Sequence, residues 1–370
     1  MRITHSKAIQ MTTMTRRRAT FHPLTVKAID LITEDSVAIT FDVPEELAAE
    51  YEFAAGQHLT VRRTGEDIRR SYSICSPAGS GVLRIAVKRI PGGEFSSYAA
   101  SGLKVGDVIE VMTPLGRFGT PLDPAHAKHY AFVAAGSGIT PVLSLVATIL
   151  SVEPQSRVTL LYGNRTAGSV MFADELADLK DVYSERLHLV HVLSRESTDV
   201  ELFSGRIDRD RLGRMFDTIL PVRSVDEWFL CGPYAMVVGA QELLLDQGVR
   251  RESVHAELFH VGDEAPVVRV EENVADEDAA EVTVILDGRR STFPLGEHAK
   301  AVLDATLAVR TDAPFACKGG VCGTCRAKVI EGTVRMDTNW ALEPDEIRAG
   351  YVLTCQSHPT SEKVTLDFDA

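Results

Sequence analysis

At 370 residues the chain exceeds what one hydrophobic core usually organises, roughly 250 to 300 residues, so two or three domains are expected. Hydrophobic residues make up 45% and charged residues 25%, a balance typical of globular proteins and foreign to fibrous or disordered ones. A net charge of -13 argues against nucleic acid as a partner, because phosphate contacts need a basic face, and it leaves room for a partner with a basic patch.

The opening segment, MRITHSKAIQMTTMTRRRAT, is basic but lacks the apolar stretch of a signal peptide, and no run of about 18 apolar residues follows anywhere. Residues 1–19 are expected to be a disordered extension, and the chain to be cytoplasmic, with no membrane contact. Residues 20–125 then read as short alternating strands broken by turns: TVKAIDLITEDSVAITFDV, GQHLTVRRT, SYSICS, VLRIAVKRI and GDVIEVMTPLG. Such spacing predicts an antiparallel β-barrel. Within it, RRSYSICS lines up Arg70, Tyr72 and Ser73 along one strand, and PGGEFSSY sets Gly92 and Gly93 before a helix start at Ser96. An aromatic there could cover a flat ring, and an arginine with a helix N-terminus could hold phosphates; Tyr72 could equally be an interior barrel residue.

From residue 126 to 261 the texture changes to continuous apolar strands alternating with helical segments, which predicts a doubly wound parallel sheet of α/β type. AAGSGITP puts Gly136 and Gly138 between a strand and a helix, where a glycine turn can bring a pyrophosphate to a helix N-terminus. Pro141 stands where the dinucleotide fingerprint has its third glycine, so a plain strand–helix turn stays open as an alternative. Cys231, Gly232 and Pro233 end a later strand that would share one crevice with that loop. Ser194 and Arg195, in HVLSRE, and Arg165, in LYGNR, end strands where a hydroxyl and a guanidinium suit the 2′-phosphate of NADPH.

Residues 262–280 hold seven acidic residues against one arginine, show no core periodicity and read as a linker. The remaining ninety or so residues, 281–370, predict a hairpin, a short helix around AKAVLDATLAV and a cysteine segment. Cys317, Cys322, Cys325 and Cys355 follow the pattern C-x4-C-x2-C-x29-C. Four thiolates could hold tetrahedral zinc, giving a non-catalytic zinc-stabilised binding protein, but zinc ribbons pair their ligands in two knuckles. Three ligands in one loop with a remote fourth is the plant-type [2Fe–2S] spacing. Cys75, far from this loop, reads as a small buried hydrophobe.

Taken in order, R-x-Y-S at Arg70–Ser73, G-x-G-x-x-P at Gly136–Pro141, C-G-P at Cys231–Pro233 and the four cysteines resemble the ferredoxin–NADP reductase superfamily with a plant-type ferredoxin fused at the C-terminus. The third region is then expected to be an α+β, β-grasp ferredoxin-like domain. CKGGVCGTCRAKVIEGTVRM, EIRAGYVLTCQSHP and LDFDA are similar, within that superfamily, to reductase subunits of the phenylacetyl-CoA epoxidase type. The resemblance implies FAD, a [2Fe–2S] cluster and NADPH, with NADH as the alternative, and an oxygenase component as partner. That oxygenase would be the di-iron enzyme that epoxidises phenylacetyl-CoA, or else a Rieske dioxygenase or another di-iron monooxygenase. By position it implies Arg70 at the flavin phosphates, Tyr72 on the isoalloxazine, Ser73 near its N5, and Val87 and Lys88 along the ribityl chain. Gly92, Gly93 and Ser96 would cradle the pyrophosphate, and Thr140 and Cys231 would border the nicotinamide. Glu257 and Phe259, in HAELF, would close the nucleotide domain near the flavin; a chain that continues past Phe259 departs from relatives that end on a covering aromatic.

Overall fold

The structure, a computed structural model, describes residues 19–259, 279–296 and 301–370. All of the expected N-terminal extension but Ala19, and all of the acidic segment 262–280 but Ala279 and Ala280, lie outside these residues; Ala280 is already the first residue of a strand.

The first body contains β1 (Phe21–Thr33), β2 (Ser36–Asp42), β3 (His58–Arg62), β4 (Arg70–Ser73), β5 (Leu83–Lys88), helix α1 (Glu94–Ser101) and β6 (Val108–Met112). All the pairings are antiparallel, in the order β4-β3-β6-β1-β2-β5. A bridge between Ile74 and Ile85 joins the two edge strands, so the sheet closes into the expected barrel and neither edge stays open. Alternate residues of these strands, among them Leu24, Ile39, Leu59, Ile85 and Ile109, fill the interior.

The second body runs β7 (His129–Ala135), α2 (Ile139–Val152), β8 (Arg157–Asn164), α3 (Ala173–Val182), β9 (Leu187–Leu193), α4 (Arg209–Thr218), β10 (Glu227–Gly232), α5 (Tyr234–Asp246) and β11 (Val254–Leu258). Its parallel sheet has the order β11-β10-β7-β8-β9. The chain steps outward from β7 to β9 and then returns to the other side of β7, so the topological switch lies between β7 and β10. After His129, β7 is a run of aromatic and aliphatic residues because helices cover both faces. Residues 139–150 of α2 are all buried, because this helix is wedged between the sheet and the barrel. Cys75, Ala86 and Phe118 of the barrel share the α2 core, and the Phe118 ring meets Phe229 of β10 edge to face at 5.5 Å.

The third body contains β12 (Ala280–Leu286), β13 (Arg289–Leu295), α6 (Val302–Val309), β14 (Arg326–Glu331), β15 (Val334–Met336), α7 (Pro344–Arg348), β16 (Tyr351–Leu353), β17 (Ser357–Pro359) and β18 (Lys363–Asp367). The order β13-β12-β18-β14-β16 combines a parallel β12–β18 pair with antiparallel neighbours, an α+β arrangement. Among the described residues no helix is long and apolar enough to cross a membrane.

Candidate functional site

β4 alternates as a strand must. Arg70 is exposed, Tyr72 half-buried and Ser73 buried. Among the described residues Arg70 pairs with no carboxylate; its Nη1 donates to the carbonyl of Arg69 at 2.8 Å, which leaves most of its fork open to an anion. Tyr72 packs against Phe95 of α1 at 5.6 Å, and burial pushes its phenol up to about 12, so it stays neutral and acts as a flat apolar surface. α1 begins at Glu94, two residues before the start expected at Ser96, because Gly93 is its N-cap. The Ser96 hydroxyl is spent on the same turn: it accepts from the Ile90 N–H and donates to the Gly93 carbonyl, both at 3.2 Å. What faces outward is Gly92, with φ of +73° and no atom near the position a Cβ would take, followed by the first-turn amides of α1, which lack intrahelical partners. Val87 is buried in the barrel, and the Lys88 ammonium is held by Asp35 at 3.4 Å.

The barrel meets the sheet at its switch point. Cys231 lies in register between Ala134 of β7 and Glu257 of β11. Across the junction Ser73 Oγ donates to Glu257 Oε2 at 3.2 Å, so a residue from each body shares one hydrogen bond. Burial raises the Glu257 carboxyl to about 8, against the lowering effect of Ser73, and leaves it largely protonated at neutral pH. Burial first, and then the neighbouring Glu257, raises the Cys231 thiol well above its usual range; it is a neutral, compact wall of the crevice.

Gly136 and Gly138 form a tight turn between β7 and α2. Gly136 has φ of +54°, and nothing stands where its Cβ would be, so the turn presents bare backbone to the crevice; Tyr162 Oη pins its carbonyl at 3.0 Å. Gly138 is required for a different reason, since a Cβ there would run into the Cys231 carbonyl. Thr140 Oγ1 donates to the Ser137 carbonyl at 3.0 Å, and Pro141 is buried in the first turn of α2. Gly232 and Pro233 close the opposite wall, Pro233 as the N-cap of α5. Phe259, 42% exposed, follows β11 and is the last described residue before the acidic segment.

β9, which ends just before Ser194 and Arg195, lies at the sheet edge beyond β8 and away from β7 and β10. The amides of Ser194 and Arg195 donate to the carbonyls of Asn164 and Arg165 at 2.9 and 2.8 Å, which sets the exposed Arg165 and Arg195 on neighbouring strand ends. A hollow at the opposite end of the sheet, near His129 and Leu220, contains none of these residues; its Lys180 and Arg186 already hold backbone carbonyls.

In the third body the four cysteines are free thiols gathered as two pairs, Cys317 with Cys322 and Cys325 with Cys355. Among the described residues no three such side chains converge as one metal ion would require. Two pairs suit a two-iron cluster, with two thiolates on each iron. The Cys322 thiol and the amides of Gly319, Val321 and Cys322 hold Cys317 below the usual thiol range; the Gly319 amide donates to its sulfur at 3.3 Å. Left-handed Gly320 (φ +75°) and Gly323 (φ +67°) let the loop fold around these sulfurs.

Sequence reasoning missed the residues that join this body to the others. Arg69, 6% exposed, stacks on Phe315; Glu346 of α7 binds both Arg117 and Arg326 at 2.6 Å; Trp340 meets Tyr234 edge to face at 5.1 Å. The one local signal was the adjacent pair Arg69-Arg70, two cations at the start of a strand, of which the structure buries the first and exposes the second.

Three family models match the chain: the oxidoreductase FAD-binding domain over residues 23–119, the oxidoreductase NAD-binding domain over 132–242, and the 2Fe-2S iron-sulfur cluster binding domain over 284–360. The last match contains all four paired cysteines and removes the zinc reading. The chain is 46% identical to one of the subunits of 1,2-phenylacetyl-CoA epoxidase from Escherichia coli, over 95% of this chain and 98% of that one. It is 36% identical to the ferredoxin reductase component of 3-ketosteroid-9-alpha-monooxygenase from Rhodococcus rhodochrous, over 93% and 96%. Phthalate dioxygenase reductase, at 23% identity, shares the fold with a TM-score of 0.57 over 94% of this chain and 98% of that one.

Proposed function

The chain belongs to the oxygenase reductases of the ferredoxin–NADP reductase superfamily that carry a C-terminal [2Fe–2S] domain, and from that premise we propose that it draws electrons from NADPH and delivers them singly to a di-iron oxygenase that epoxidises phenylacetyl-CoA. The observation that carries the choice of partner is the 46% identity to the phenylacetyl-CoA epoxidase component, which extends across all three bodies.

When bound, NADPH, FAD and the [2Fe–2S] cluster would together supply the redox chemistry, the conversion of a hydride electron pair into single electrons. The chain's residues bind and orient them. Arg70, Gly92 and the N-terminus of α1 would offer donors for the FAD phosphates, Gly93, whose amide donates to the Ile90 carbonyl, would shape the turn that presents them, Tyr72 would offer a neutral ring face, and Val87 and Lys88 end β5 on the same barrel. The bare turn at Gly136 and the wall Cys231–Pro233 leave a crevice for the dinucleotide, with Thr140 at its floor. The Ser73–Glu257 pair holds a proton where barrel and sheet meet. Ser194, Arg195 and Arg165 favour NADPH by offering a hydroxyl and two cations on adjacent strand ends. Cys317, Cys322, Cys325 and Cys355 would hold the cluster.

The test is reconstitution. This chain, NADPH, phenylacetyl-CoA and the di-iron oxygenase component should yield the ring epoxide, with no product when this chain is omitted. Electron delivery to that oxygenase no faster than to an unrelated Rieske dioxygenase would instead support the second reading, to which the 36% identity to the ketosteroid monooxygenase reductase lends weight.

A further inference from the structure

Arg69 immediately precedes the flavin strand, β4, and its side chain packs toward the third body. Its guanidinium carbon lies 3.8 Å from the centroid of the Phe315 ring and 5.2 Å from that of Phe21, so the cation is held between a ring of the cysteine-bearing body and a ring of β1. Its Nη1 donates to the carbonyls of Ala313 and Phe315 at 3.4 and 3.5 Å. Nε is buried and has no partner among the described residues. A buried guanidinium held by rings and carbonyls has exchanged hydration for contacts that exist only while the two bodies touch. Phe315 stands two residues before Cys317, so these contacts close directly on the cluster loop. The other charged links between the bodies are weaker, since Arg117, the partner of Glu346, is 64% exposed, and the Arg251–Glu343 pair is 3.5 Å long and open to water on both sides.

We propose that Arg69 is a positioning residue that clasps the segment 313–317 against the flavin strand and so sets the rate at which a single electron passes from flavin to cluster. One electron leaves the flavin and one arrives at the cluster; no bond or proton changes hands at the clasp itself. Transfer rates fall steeply with separation, so loosening the clasp slows this step while leaving reduction of the flavin untouched. The inference rests on the reductase reading above and adds the contact through which two of its bodies act together.

The experiment uses the full-length holoprotein as wild type, Arg69→Ala, Phe315→Leu and the double variant. Three quantities are read: NADPH-to-ferricyanide turnover, which needs the flavin alone; the rate at which the cluster absorbance bleaches after rapid mixing with NADPH; and the tryptophan emission wavelength, to which the fully buried Trp228 adds a constant part and Trp340 reports where the third body packs on Tyr234 of the second. Each single variant is expected to keep wild-type ferricyanide turnover, to slow cluster bleaching at least tenfold, and to shift Trp340 emission to longer wavelength. The double variant should be no slower than the singles, because the two side chains form one contact. Arg69→Lys, which keeps the charge but not the planar stack, should fall between. Bleaching at the wild-type rate in Arg69→Ala, single effects that multiply in the double variant, or loss of ferricyanide turnover would each overturn the clasp. A wild-type holoprotein with flavin turnover but no cluster absorbance would overturn the reductase reading itself, before any variant is compared.

Discussion

On the proposed reading Arg165 and Arg195 would carry the choice between the two nicotinamide nucleotides, because they are exposed cations held side by side by a backbone ladder at the end of the sheet. A charge-assisted hydrogen bond contributes about 1.5–3 kcal/mol, so Arg195→Ala should raise the KM for NADPH roughly 10- to 100-fold and leave that for NADH nearly unchanged. Steady-state kinetics with both nucleotides checks this, and equal losses for both would exclude a role in reading the 2′-phosphate. The place of Arg195 just past a strand end was legible in the sequence, because it closely follows an apolar strand. The partnership of Ser73 with Glu257 was not, since the residues stand 184 positions apart and meet only through the packing of one body on another. Arg69 was hidden for the same reason: which of two adjacent arginines faces a ligand depends on a neighbour that the local sequence does not name.

Among elements, the turn before α2 shows how a readable motif can serve a second purpose. Gly136 and Gly138 stand at a strand–helix junction where bare backbone suits a phosphate, and Gly136, with its positive φ, fits that role. Gly138 instead lets α2 settle on the carbonyl end of β10, a demand that follows from strand order and not from the motif. Gly138→Ala should therefore push the turn away from Cys231 and cost on the order of 1–3 kcal/mol, seen as a lower unfolding midpoint together with a raised KM for the nucleotide. An unchanged midpoint would mean that the turn yields without cost. The start of α1 precedes the expected Ser96 by two residues because Ser96, a good cap by type, sits inside a turn already capped by Gly93. The position of β9 at the sheet edge likewise depends on the sheet's return crossing, which periodicity along a single strand does not record.

At the scale of the whole molecule, electrons would pass from the nucleotide crevice of the second body to the flavin strand of the first and on to the cysteine loop of the third, an order that differs from the order of the bodies along the chain. The four-cysteine spacing was fully legible, because ligand geometry imposes itself on local sequence. The docking of the third body through Arg69, Glu346 and Trp340 was not legible, because each contact joins segments far apart in the chain. The central claim is that electrons enter as a pair at the flavin and leave singly through the cluster. Cys322→Ser removes one ligand of the pair it forms with Cys317 and leaves the first two bodies intact. NADPH-driven turnover of this variant should be measured with ferricyanide and with the di-iron oxygenase side by side. Wild-type ferricyanide reduction with no delivery to the oxygenase is the expected result; delivery at the wild-type rate, or the loss of both activities together, would contradict the claim.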